Sequence, residues 1–435
     1  MKKSLILLIF VQLNIISCEN PGFELKNLTQ LRLYQLEESD SCIIDNINNL
    51  IFNDNYTEFI ITETQRKYLI RYSYSSGKII SIASIGLDCI DSIQKYSSFP
   101  EQKPPFINFI DGKFLSLKEY IVKINEKKNL ELTLEKMDKS LQRSILNTIY
   151  INNDTLLLYM LFDIPSQFFK TDINEIKVFV AQFVAFVYFD IKNESYKIIL
   201  LENKPITVWP TSDLLLKSMD DTKKSFVMSS NNTKAGKRKS YDSLYSISSF
   251  DKDGNFIKPL SLIPEEFLKA NLIYKFCNPK AFYNSKNELI TAYTLLDKVY
   301  NTNRNTYFKL KNFDDFNDSF FQKNYNDTNY MKNKLCIHEE ISYRLSGIFP
   351  IKNGNYLITV SKQDLEAKAK GVKSSENCVF IQEYTPEGEL VAQAKMPSVG
   401  ENGVIQKVHY ITERNELVTF QKSSEKGWTV TYWKW

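Results

Sequence analysis

Short runs of β-forming residues, each cut off by a polar turn and grouped in fours, recur along almost the whole sequence. That repeat constrains the fold more than any other feature. The stretch CIIDNINNLIFNDNYTEFIITETQRKYLIRYSYSSGKIISIAS shows the unit: strands over 43–53, 58–63, 67–74 and 78–84, with NDNYT, TQR and SSG as the turns between them. Isoleucine, tyrosine, phenylalanine and threonine suit the pleated, half-buried surface of a strand, while asparagine, aspartate, serine and glycine accept turn backbone. Four antiparallel strands in about 40 residues make a β-propeller blade. The same grammar returns over 106–137, 144–202, 213–263, 280–312, 342–396 and 408–435. Seven units are counted; the fifth shows no obvious fourth strand, and six blades is the alternative.

The last unit supplies only three strands, VHYITE, ELVTFQ and WTVTYWKW, and would leave an unpaired edge. Exposed sheet edges invite aggregation. The orphan strand LTQLRLYQL at 28–36 is expected to pair there and close the ring. The expected fold is therefore all-β, one propeller domain over residues 27–435.

The chain opens with Lys2 and Lys3, followed by an apolar run from Leu5 to Ile16 that is interrupted by Gln12 and Asn14. A spanning helix needs about 20 apolar residues, so this run reads as the core of a signal peptide. It ends in Ile15-Ile16-Ser17-Cys18, which resembles the lipobox of bacterial lipoproteins. The resemblance implies removal of residues 1–17, lipidation of Cys18 and a tether over 18–26. The protein would then sit in the cell envelope, periplasmic or surface-exposed, held to a membrane through its lipid alone.

The formal charge is +4, of which Lys2 and Lys3 belong to the leader, so no basic surplus points to nucleic acid. Six cysteines and two histidines occur, with no CxxC or His-Cys cluster, so no metal is expected. Cys42 and Cys89 precede the first strands of units one and two, and Cys277 and Cys336 those of units five and six. Each pair is a candidate disulfide in an oxidising compartment, with Cys378 left as a core thiol. Only His338 and His409 are available for a histidine-dependent hydrolase.

Three hairpin phrases, FDKDGNFIKP, YTPEGELVA and YSYSSGKIIS, resemble the strand–turn–strand endings of NHL- and TolB-like propellers, found in many lipoproteins of Bacteroidota. The resemblance implies the fold and the export route. It brings no catalytic residue and no cofactor, because no family motif for one is present.

Local motifs give little chemistry. DKDGN at 251–255 begins like a calcium loop, but position 262 is Leu262 where a glutamate would be needed, so a tight hairpin with Gly254 at positive φ is expected. IHEE at 337–340 lacks the second histidine of a zinc helix. KAGKRK at 234–239 reads as a solvated basic run, with an anionic glycan or phosphate as the alternative, and Trp428, Trp433 and Trp435 as packing of the closing blade, with a sugar-stacking platform as the alternative.

Loop lengths carry more. In a four-stranded meander, the loop between strands two and three and the loop to the next blade leave on one side. Residues 165–175, 230–241, 296–305, 313–340 and 361–377 are long and all fall there, while the other turns are clipped. Long loops on a rigid scaffold are where binding concentrates. This face would carry Phe168, Phe169, Lys237, Arg238, Tyr300, Arg304, Tyr325, Tyr330 and Lys370. Aromatics and cations suit an anionic glycan, a peptide or an acidic protein partner. The expected role is a binding or scaffold module. The alternative is a propeller enzyme, a glycan hydrolase or lyase, using carboxylates and tyrosines at the channel mouth.

Overall fold

The structure is a computed structural model of the chain. It describes residues 22–38, 44, 47, 49–62, 68–84, 109–110, 113–114, 126, 142–163, 182–200, 214–217, 225–229, 245–270, 277–326, 341–363, 376–396, 403–423 and 427–435. Two strands, β1 (Glu24–Leu25) and β2 (Thr29–Gln35), precede the first blade. Blade 1 is β3 (Asn49–Phe52), β4 (Glu58–Thr62), β5 (Tyr68–Ser73) and β6 (Ile79–Ser84). A hairpin of β7 (Phe109–Ile110) and β8 (Lys113–Phe114) follows. Blade 2 is β9 (Gln142–Asn152), β10 (Thr155–Asp163), β11 (Gln182–Asp190) and β12 (Ser195–Leu200). Blade 3 is β13 (Leu215–Lys217), β14 (Phe226–Ser229), β15 (Tyr245–Phe250) and β16 (Phe256–Leu262), followed by the short helix α1 (Glu265–Lys269). Blade 4 is β17 (Pro279–Tyr283), β18 (Leu289–Tyr293), β19 (Lys298–Asn301) and β20 (Thr306–Lys309), followed by α2 (Asp318–Asn326). Blade 5 is β21 (Tyr343–Pro350), β22 (Tyr356–Gln363), β23 (Glu376–Tyr384) and β24 (Leu390–Lys395). Blade 6 is β25 (Gly403–Ile411), β26 (Glu416–Ser423) and β27 (Gly427–Lys434), completed by β2.

Each blade is an antiparallel meander, and the six form a ring. The first strands face inward: β9 lies against both β3 and β13, and β21 against both β17 and β25. Second strands are sandwiched between neighbouring sheets. Their sequences are accordingly largely apolar runs without a polar alternation, such as LITAY in β18 and YLITVS in β22, in which every residue is buried. A sheet covered on both faces loses the alternation of a half-exposed one. Separate apolar clusters fill the gaps between blades.

The ring has six blades, which corrects the count of seven. Among the described residues no blade stands between blades 1 and 2, because β3 lies against β9. The described part of 106–137 is the β7–β8 hairpin and residue 126. The premise for pairing Cys42 with Cys89 weakens with it, since the blade after Cys89 starts only at Gln142.

The N-terminal strand closes the ring as expected. β2 runs antiparallel to β27, from Thr29 opposite Lys434 to Gln35 opposite Thr429. Its Arg32 guanidinium lies 3.8 Å over the Tyr432 ring and 4.5 Å over the Tyr74 ring of blade 1, and reaches Glu416 at 3.1 Å. Tyr34 shares a 2.6 Å hydrogen bond with Tyr432 and donates to the Tyr74 carbonyl. Before it, β1 pairs in parallel with β24, the outer strand of blade 5. Phe23 packs into the blade 4–5 cluster, Leu28 into the blade 5–6 cluster and Leu36 into the blade 6–1 cluster. The N-terminal segment is thus a belt laced through three successive grooves.

The turns repeat one device. A side-chain oxygen at the first turn position accepts backbone N–H groups further on: Asn53 from Thr57 and Glu58, Asp251 from Asp253 and Asn255, Asn284 from Lys286 and Glu288. Such Asx turns satisfy the donors that a tight reversal exposes. Asp251 therefore spends its carboxylate on its own hairpin, with Gly254 at φ +73°, as the sequence predicts.

Candidate functional site

The four strand-ends where blades 4 and 5 meet on the clipped-turn face enclose a cleft of about 440 Å³. Strand alternation decides what enters it. Ile290, Val299 and Phe308 face blade 5 and form an apolar floor with Tyr356 of β22. Phe308 and Tyr356 lie nearly parallel, with centroids 6.5 Å apart. Phe308 sits so low because Gly388 of the facing hairpin has no side chain: a Cβ there would lie 2.3 Å from the phenylalanine.

Glu288 stands at the centre of the blade 4 wall. Its carboxylate accepts from Arg304 Nε at 2.6 Å, from Asn284 Nδ2 at 2.9 Å and from Asn301 Nδ2 at 3.0 Å. These bonds, Arg304 first, hold its pKa down at about 2. A carboxylate stabilised in this way stays ionised at any physiological pH, so it cannot deliver a proton as a general acid. Lys286 and Glu387 complete the mouth, giving two cations and two carboxylates. A second cleft of about 430 Å³ lies between blades 3 and 4, lined by Ser225, Lys258, Tyr283 and Asn303 among others.

Of the nine residues expected on a long-loop face, the structure places two side chains. Arg304 belongs to the β19–β20 turn, so it lies on the clipped-turn face, contrary to expectation. The cause is β19: residues 298–301, read as part of a loop over 296–305, are a strand of blade 4, which moves position 304 to the other side. Tyr300 is in that strand and packs among Phe267, Tyr293 and Phe321, 5.8 Å from the Tyr293 ring, with burial pushing its pKa up. It is half-buried, packed against that cluster on one side and lining the blade 4–5 cleft on the other.

The expected loop 313–340 begins as packed structure: Phe316, Phe320 and Phe321 are buried. Asn317 makes four hydrogen bonds there, donating to the carbonyls of Leu295 and Tyr343 and accepting from the N–H groups of Ser342 and Tyr343. Tyr325 lies on α2, but its side chain is outside the described residues. Phe168, Phe169, Lys237, Arg238, Tyr330, Lys370 and Cys18 also lie outside them. So do Cys42, Cys89, Cys336 and the side chain of Cys378; Cys277 carries a free thiol against the α1–α2 cluster.

His409 packs between Phe52 and Phe349, with centroids 4.9 and 5.4 Å away. Burial pushes its pKa down to about 4, so it is a neutral packing group. His338 lies outside the described residues. Of the residues that the sequence singled out, Tyr300 and Arg304 line the blade 4–5 cleft. Asn284, Glu288 and Asn301 carried a signal as turn residues, but not as partners of one another.

No family model matches the sequence, and no curated protein does. Among solved structures, the chain is similar to a member of the DUF4221 family from Bacteroides vulgatus, with a TM-score of 0.45 and 9% identity over 94% of this chain and 98% of that one. It is also similar to a candidate exported protein of Bacteroides fragilis, with a TM-score of 0.45 and 10% identity over 95% and 98% of the two chains. The PQQ-bound aldose sugar dehydrogenase of Streptomyces coelicolor gives a TM-score of 0.45 and 9% identity over 94% and 98%. Likeness of this degree assigns the chain neither a ligand nor an activity.

Proposed function

We propose that this propeller is an exported lipoprotein of the cell envelope, of the NHL/TolB-like kind and tethered through Cys18, which binds a glycan, peptide or protein partner without transforming it. One observation carries the choice of binding over catalysis. The central carboxylate of the described cleft is saturated by three donors, and the aromatic floor beside it offers contact area rather than reactivity. Such a carboxylate positions a ligand: Glu288 has no proton to give and is tied to its three donors. His409, packed between two aromatic rings and neutral, adds nothing to the acid–base inventory.

The anchor and the site are tested separately. Metabolic labelling with a fatty acid is expected to mark the wild type and not Cys18→Ala; equal label in both rules out lipidation at that residue. For the site, a screen of envelope glycans and co-exported proteins is expected to find a ligand whose affinity falls about tenfold or more in Arg304→Glu, which puts a carboxylate against Glu288. A ligand indifferent to that substitution and to Phe308→Ala places binding on another surface.

A further inference from the structure

The blade 4–5 cleft contains hydrogen-bonding capacity that the protein leaves unspent. Tyr356 is buried, only 2% exposed, yet among the described residues its hydroxyl takes part in one bond, accepting from Asn284 Nδ2 at 3.4 Å. Its own proton has no acceptor there. Because Tyr356 lines the cleft, its hydroxyl can donate to a group that enters there. The hydroxyl lies within the electrostatic reach of Glu288, Arg304 and Glu387, the groups of the cleft mouth.

Arg304 spends its Nε on Glu288, and its two terminal nitrogens have no partner among the described residues. The Glu387 carboxylate on the opposite wall has none either. The cleft therefore presents donors and an acceptor side by side, with Lys286 and Arg304 balanced by Glu288 and Glu387. Beneath them lie Ile290, Val299 and Phe308, which offer only apolar contact.

We infer that the blade 4–5 cleft takes an uncharged saccharide, with its C–H face on Phe308 and its hydroxyls shared between Tyr356, Arg304 and Glu387. The inference rests on the binding reading above and names its ligand class. A sugar hydroxyl both donates and accepts, so neighbouring hydroxyls match a guanidinium beside a carboxylate, and the ring's C–H face matches an aromatic floor. Charge balance argues against an acidic ligand: burying a net charge in a neutral cleft forfeits hydration without a compensating ion pair. The volume of about 440 Å³ suits about one or two sugar rings.

The test uses calorimetry and saturation-transfer NMR on the propeller with a panel of neutral di- and trisaccharides, digalacturonic acid and a tri-alanine peptide, at up to millimolar concentration. At least one neutral saccharide is expected to bind. Tyr356→Phe, which removes a single oxygen, should weaken it about three- to tenfold while leaving the thermal transition in place. Glu387→Gln should weaken it by a similar factor. If digalacturonic acid or the peptide binds best and Tyr356→Phe weakens it, the cleft is the site but the ligand class is overturned. If a neutral saccharide binds and neither variant changes its affinity, the cleft itself is overturned as the site. Failure of every neutral saccharide to bind overturns the inference outright and leaves the broader binding reading to its own screen.

Discussion

His409 shows how one side chain couples the ring to pH. It sits where blades 1, 5 and 6 meet, between Phe52 and Phe349, and its folded pKa of about 4 lies below the ordinary value of 6.5. Below pH 6.5 the unfolded chain takes up a proton that the folded chain refuses. The unfolded state then binds more protons, so stability falls as pH drops from about 6.5 towards 4. Glu413 and Lys407 act on the same ring in opposite directions, the first favouring the proton and the second opposing it. Replacing His409 by phenylalanine, which keeps an aromatic ring and removes the titration, should flatten this part of the curve by on the order of 1–3 kcal/mol. Denaturant unfolding of both proteins at pH 7 and pH 4.5 measures it. An unchanged slope in the variant would mean that other groups carry the acid sensitivity.

Among elements, the hairpin between the third and fourth strands is the most regular part of the molecule. Gly77, Gly254 and Gly388 occupy it in blades 1, 3 and 5, all at positive φ. In two of the three an aromatic from the preceding blade's outer strand lies against the glycine: a Cβ would come within 2.4 Å of Tyr34 at Gly77 and within 2.3 Å of Phe308 at Gly388. The glycine thus serves both the turn and the joint between blades. Gly388→Ala should destabilise the ring by about 2–4 kcal/mol, combining backbone strain with displacement of Phe308. Gly354, at φ +88° with nothing within 4 Å of its would-be Cβ, is the comparison, and its alanine variant should cost only about 1 kcal/mol. Equal losses would remove the joint from the explanation. These hairpins were legible in the sequence because turn chemistry is local, and the three phrases that resembled a propeller family are the same three turns. Other elements were not. Residues 106–137 have the composition of strands, but composition does not say whether a sheet joins the ring. KVYN in β19 is four residues long and framed by polar positions, so it read as loop, and that error carried Arg304 to the wrong face. The cleft was illegible for a related reason: Glu288 and Tyr356 sit on different blades, and the packing of β17 and β18 against β21 brings those blades together.

At the scale of the whole molecule, stability depends on the belt of residues 22–36. Deleting residues 24–38 removes β1, β2, Leu28, Tyr34 and Leu36, and leaves the edge of β27 open. The loss of that buried apolar surface should lower the melting temperature by on the order of 10 °C and broaden the transition. A calorimetric transition equal to that of the full protein would show that the ring does not need its closure. The belt also sets a schedule. Arg32 meets Glu416 across 384 positions of sequence, and the Trp428 indole meets the Ile44 carbonyl across another 384. The chain is made from its N-terminus at about 5–20 residues per second, so β2 exists for tens of seconds before β27 has been synthesised. Its partnerless edge, with Leu31 and Leu33 exposed even in the finished ring, must be kept from other chains through that wait. A stop codon falling just before β27 would therefore be as damaging as one placed much earlier, because the first strand made would have nothing left to close upon.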